Sequence, residues 1–112
     1  MAEPYSLAGK HVLITGAGSG IGRLMALGAA RRGATYLVLW DLNLDSAKAV
    51  ATEVEALGAS AHAMTVDVSK KSAVTTAATK VLAKIGHLDV LINNAGVVVG
   101  ETSSNSRKRM FP

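Results

Sequence analysis

The sequence contains no cysteine. Disulfides and thiolate metal centres are therefore excluded, and a reducing compartment, the cytoplasm, is the expected location. No apolar run approaches the roughly 20 residues of a membrane span. Met1-Ala2-Glu3-Pro4-Tyr5 has neither a basic n-region nor an apolar h-region, so no signal peptide is expected. Excess charge is also small. Residues 1–100 hold nine Lys/Arg against seven Asp/Glu, and the rest of the net charge of +4 comes from the segment after Gly100. The run Arg107-Lys108-Arg109 is too short for a nucleic-acid footprint, and no aromatic residue interleaves with it. Nucleic acid is not an expected partner. His11, His62 and His87 are scattered, none with a second ligand at metal-binding spacing, so no metal site is expected.

What is present is material for one small core: 112 residues, 49% hydrophobic and 18% charged. Short β-rich runs alternate with helical patterns. The strand candidates are His11–Thr15, Tyr36–Trp40, Ala61–Val66 and Leu88–Ile92. All but the third are nearly continuous apolar runs, as in strands covered on both faces. A helix is expected from about Gly20 to Arg32, ended by Gly33. Ala47, Val50, Val54 and Leu57 share a second helical face before Gly58. Val74, Ala77, Ala78, Val81 and Ile85 share a third, with Ser69 as expected N-cap and Gly86 as stop. Such β-α alternation implies parallel strands joined by right-handed crossovers.

The strongest local signal is Thr15-Gly16-Ala17-Gly18-Ser19-Gly20-Ile21-Gly22, which leaves the first strand and opens the first helix. Glycine there permits a tight turn and close approach of backbone N–H groups to a pyrophosphate, and the helix N-terminus adds free donors. Every G-x-G-x-x-G register fails, at Ile21, Arg23 or Met25, and no Gly-Lys-[Ser/Thr] of a Walker loop exists. The pattern that fits is T-G-x-x-x-G-x-G. Asp41 ends the second strand, 21 residues beyond Gly20. Standing alone it could be a solvated acid or a helix cap. At that spacing it can accept hydrogen bonds from an adenosine ribose and repel a 2′-phosphate, and no Arg or Lys follows closely. NAD is therefore expected ahead of NADP.

Three features together resemble the classical short-chain dehydrogenase/reductase family: Thr15-Gly16-x-x-x-Gly20-Ile21-Gly22, Asp67-Val68 after the third strand, and Asn93-Asn94-Ala95-Gly96 after the fourth. The stretch Val38 to Asn43 also resembles the branch holding retinol and steroid dehydrogenases, many of which carry an N-terminal membrane anchor that is not seen here. The resemblance implies an α/β, Rossmann-like parallel sheet of order 3-2-1-4, with two helices on one face and one on the other. It implies a dinucleotide held by Gly16, Ser19, Gly20, Ile21 and Gly22 at the pyrophosphate and by Asp41 at the ribose. Asp67 and Val68 would flank adenine. Asn94, Ala95 and Gly96 would pass beside the cofactor, with Asn94 also steadying the central strand.

The family reaction, hydride transfer between NAD and an alcohol/carbonyl substrate, uses a serine and a Tyr-x-x-x-Lys pair. Here Tyr5 and Tyr36 are followed at that distance by Gly9 and Trp40. No catalytic residue is therefore assigned, and the family's usual dimer helices are missing too. The expectation is a cofactor-binding domain over 1–100, truncated and inactive alone, with a disordered 101–112 tail outside the family pattern. An alternative exon, a frameshift and a misjoined gene each fit that ending. A fourth strand left at the sheet edge would be poorly covered, exposing residues such as Leu13, Leu91 and Val97. Two rivals are a non-catalytic nucleotide-binding or interaction protein, and an S-adenosylmethionine-dependent methyltransferase. The latter usually has an acid where Thr15 stands and leaves Asn93-Asn94-Ala95-Gly96 unexplained.

Overall fold

A computed structural model of the chain describes residues 6–95. The elements run β1 (His11–Thr15), α1 (Gly20–Arg31), β2 (Tyr36–Asp41), α2 (Leu44–Ala56), β3 (Ser60–Thr65), α3 (Lys71–Ile85) and β4 (Val90–Asn93). The strands form one sheet of order β3-β2-β1-β4, every pairing parallel. This is the expected Rossmann-like topology.

Strand side chains alternate between faces. Val12, Ile14, Leu37 and Leu39 point to one side, where they pack with Ala26, Ala29 and Ala30 of α1 and Val50 and Val54 of α2. The run of alanines lets α1 lie close to the sheet. Leu13, Val38 and Trp40 point to the other side and pack with Ala77 and Val81 of α3. Burying each large aliphatic side chain contributes about 1.5–3 kcal/mol, so the two inner strands anchor both layers. Leu13 is consequently only 3% exposed. The expectation that it would meet water fails because Leu13 lies in a buried cluster with Val38, Trp40, Val66, Ala77 and Val81.

The outer strand behaves differently. Val90 and Ile92 pack against the α1/α2 core, whereas Leu91 is 59% exposed. The apolar run of β4 is thus covered on one face only. It also begins at Val90 rather than Leu88, and Val97 lies outside the described residues.

One cap differs from expectation as well. Lys70, not Ser69, is the N-cap residue of α3 and makes no side-chain capping bond. Ser69 instead donates its hydroxyl to Asp67 at 2.6 Å. The stops fall where expected, with left-handed glycines at Gly33, Gly58 and Gly86. Among the described residues no helix is long and apolar enough to cross a membrane.

Candidate functional site

The C-terminal ends of the strands open onto a cleft of about 410 Å3, the edge at which open parallel sheets take ligands. Five of the residues picked out in the sequence line it: Gly16, Asp41, Asp67, Val68 and Ala95. Leu42, Val66 and Ser69 complete the wall.

The glycine loop is shaped by backbone crowding. Gly16 has φ +66°, and a Cβ there would stand 2.8 Å from Asn94 Nδ2. A Cβ on Gly22 would run into the carbonyl of Gly16 and stand 2.9 Å from Asn94 Nδ2. Both glycines are therefore required by close approach, one at each end of the turn. Ser19, the N-cap of α1, is extended and makes no side-chain capping bond. The first-turn N–H groups of α1 have no intrahelical acceptor, and the positive end of the helix dipole adds to their pull on an anion. Ser19, Gly20 and Ile21 are exposed there, and Gly22 is buried against the loop.

Two acids stand at the cleft, each fixed by backbone. Asp41 Oδ2 accepts the N–H of Gly18 at 2.8 Å, and its Oδ1 accepts the N–H of Asn43 at 2.9 Å. A carboxylate has about four acceptor sites, so both oxygens keep capacity for a ligand hydroxyl. Asp67 Oδ1 accepts both the hydroxyl and the N–H of Ser69. These bonds, the hydroxyl first, together with the Lys70 charge hold the Asp67 carboxyl below the usual range. Two anions on one wall favour hydroxyl donors and disfavour a phosphate beside them. The first-turn residue Arg23 is occupied elsewhere, donating to Glu53 of α2 at 2.9 and 2.6 Å.

The fourth strand ties the floor together. Asn94 Nδ2 donates to the Gly16 carbonyl at 3.3 Å. The Thr15 hydroxyl donates to Asn93 Oδ1 at 3.0 Å and accepts the N–H of Ala95 at 2.9 Å. Thr15 is 4% exposed, and through these bonds it joins the start of the glycine loop to the Asn93-Asn94-Ala95 segment. Sequence reasoning did not assign it a role. The signal that could have found it is the parallel register, which sets Thr15 beside Asn93. Gly96 lies outside the described residues.

A family model described as short chain dehydrogenase matches residues 10–111. The chain belongs to this family. The match runs on through the segment after Gly100, whose structure lies outside the described residues. Estradiol 17-beta-dehydrogenase 11 of Mus musculus is 48% identical over 93 residues, covering 83% of this chain and 31% of that protein. Epidermal retinol dehydrogenase 2 of Homo sapiens is 46% identical over 97 residues, covering 86% of this chain and 31% of that protein. The resemblance to the retinol/steroid branch is thereby supported, and the chain spans about a third of these relatives' length.

Among solved structures, an NAD+-bound xylitol dehydrogenase superposes with TM-score 0.77 at 35% identity, over 81% of this chain and 35% of that one. A metagenomic short-chain oxidoreductase in complex with NADP superposes with TM-score 0.76 at 40% identity, over 81% and 41%. The family thus holds dinucleotides of both kinds on this fold.

Proposed function

We propose that residues 6–95 form the NAD-binding portion of an oxidoreductase that moves hydride between the cofactor and an alcohol/carbonyl pair. The carrying observation is the pairing of Asp41 with the Gly18 N–H at 2.8 Å. It sets a carboxylate at the rim of a glycine loop whose first helical turn offers uncapped donors. In this reading Gly16, Ser19, Gly20, Ile21 and Gly22 receive the pyrophosphate. Asp41 accepts the ribose hydroxyls. Asp67 and Val68 border the adenine, and Asn94, Ala95 and Gly96 run beside the cofactor. The fit is supported by the three loop positions, Gly16, Gly18 and Gly22, that have no room for a Cβ and by a cleft wall that is mostly apolar away from its two acids.

Preference for NAD over NADP follows from charge. A 2′-phosphate at the Asp41 position would meet a like charge, and Arg23, the cation on the first turn of α1, is already committed to Glu53. The bound dinucleotide would supply the hydride carrier, and this chain's residues bind and orient it. The names of the two relatives suggest a lipophilic alcohol, steroid or retinoid, as substrate class for the whole protein. A reducing, cytoplasmic setting rests on the absence of cysteine. The sequence contains no Tyr-x-x-x-Lys, so cofactor binding without turnover is expected of these 112 residues alone.

Titration calorimetry with NADH and NADPH tests the reading. NADH should bind more tightly. Equal or tighter NADPH binding rejects the assignment to Asp41, and binding of neither rejects the site.

A further inference from the structure

At the end of the sheet remote from the cleft, parallel pairing of β1 with β4 gathers residues that are far apart in sequence. His11 opens β1. His87 and Asp89 lie just before β4, in the turn that leaves α3. One ligand atom from each of the three falls within 4.8 Å of the other two. The expectation that the histidines are scattered is therefore corrected for this pair: their rings stack with centroids 4.4 Å apart.

We propose that His11, His87 and Asp89 form a zinc-binding site, with water completing the coordination. Imidazole and carboxylate are ligands that zinc accepts, and three protein ligands plus water is one of its common arrangements.

Three features go beyond mere proximity. First, His11 Nδ1 lies 3.0 Å from the carbonyl of His87. A carbonyl cannot donate, so this bond requires the proton on Nδ1 and leaves the Nε2 lone pair available. A ring N–H given to a backbone carbonyl is the usual way a protein orients a metal-binding histidine. Second, Asp89 is fixed against β1 by two bonds. Its Oδ2 accepts the His11 N–H at 2.8 Å, and its own N–H donates to the His11 carbonyl at 3.0 Å. The carboxylate is thus placed by the sheet register. Third, His87 Nε2 already stands 3.2 Å from Asp89 Oδ2, so small side-chain rotations bring a nitrogen and an oxygen to one metal. His87 is 62% exposed at its side chain, which leaves an entry path from solvent.

The His87 side chain touches only His11 and Asp89 among the contacts described here. Asp89 is needed to clamp the strands, but that task does not call for two imidazoles beside it. The Lys10 charge is felt at Asp89, which opposes a second cation and argues for moderate affinity. Zinc held here would join the first residue of β1 to the turn after α3. It would resist separation of the edge strand β4 from the sheet and so stabilise the fold.

The test is zinc titration of the metal-free, untagged 112-residue chain by calorimetry, together with its thermal unfolding with and without zinc. One zinc per chain and a higher unfolding midpoint are expected. His87→Ala and His11→Gln should each weaken binding by about tenfold or more and remove the zinc-dependent shift. His62→Gln should change neither. His87→Ala should melt like the parent in the absence of zinc, since its side chain is exposed, so a folding defect will not mimic the result. Absence of zinc binding overturns the proposal. So does binding of equal strength in His87→Ala and His11→Gln, or binding lost in His62→Gln.

Discussion

Asp41 Oδ2 receives the N–H of Gly18 at 2.8 Å, so the acid that closes β2 also sets the shape of the glycine loop. Its charge and its acceptor geometry are therefore separable by substitution. Asp41→Asn keeps an oxygen able to accept one of the two backbone N–H groups and removes the charge. The preference for NADH over NADPH should narrow by about fivefold or more, the worth of roughly 1 kcal/mol for one close charge pair even at high dielectric. Asp41→Ala should narrow it too, but with weaker binding of both cofactors, because the loop loses its tie. Paired titrations of the two variants check this. An unchanged preference in Asp41→Asn would show that charge at residue 41 does not select the cofactor.

The loop glycines should fail for different reasons. Gly22→Ala forces a methyl into the Gly16 carbonyl, and overpacking of this kind costs about 1–3 kcal/mol. Gly20 has open space around a Cβ but φ +56°, so Gly20→Ala pays about 1–2 kcal/mol for a left-handed backbone. Asn tolerates that conformation better than Ala. Gly20→Asn should therefore recover part of the loss, whereas Gly22→Asn should be worse than Gly22→Ala. Urea unfolding of the four variants decides the matter, and equal behaviour at the two positions would contradict it.

These local rules explain why the glycine loop was legible in the sequence. Turn, strand end and helix start all lie within eight consecutive residues. The inner strands β1 and β2 were legible for a similar reason, since a run of apolar residues covered on both faces needs no periodicity. What stayed hidden depends on register. Thr15 becomes a junction only when β1 lies beside β4, which sets it next to Asn93. His11 and His87 are separated by 76 residues and meet through the same pairing. Ser69 looked like a helix cap because capping residues favour that position, but Asp67, two residues before it, competes successfully for its hydroxyl and N–H. Exposure of Leu91 was legible from its place on the edge strand, whereas the burial of Leu13 depends on a cluster with Val38, Trp40, Ala77 and Val81 that an apolar run does not reveal.

Leu13 and Leu91 sit side by side in the sheet and offer a sharp contrast. Leu13 is buried in a cluster with Val38, Trp40, Ala77 and Val81, and Leu91 is exposed. Leu13→Ala should cost about 2–5 kcal/mol through lost burial and an unfilled cavity. Leu91→Ala should stay within about 0.5 kcal/mol. Urea midpoints measured in parallel test the pair. A large loss at Leu91 would mean that its side chain is covered in solution.

Stability should also rise with pH across the range in which His62 titrates. His62 lies opposite Val38 in the sheet, on the face covered by α3. Partial burial, reinforced by the Lys84 charge, lowers its pKa from the ordinary 6.5. The folded chain therefore protonates His62 at lower pH than the unfolded chain does. Between the folded pKa and about 6.5 the unfolded state binds more protons, so stability falls as pH drops through this window and levels off above it. The informative quantity is the difference between the parent and His62→Gln. Urea midpoints at about pH 5.5 and about pH 7.5 should differ less in His62→Gln than in the parent. An equal or larger difference in the variant would show that His62 does not carry the acid sensitivity.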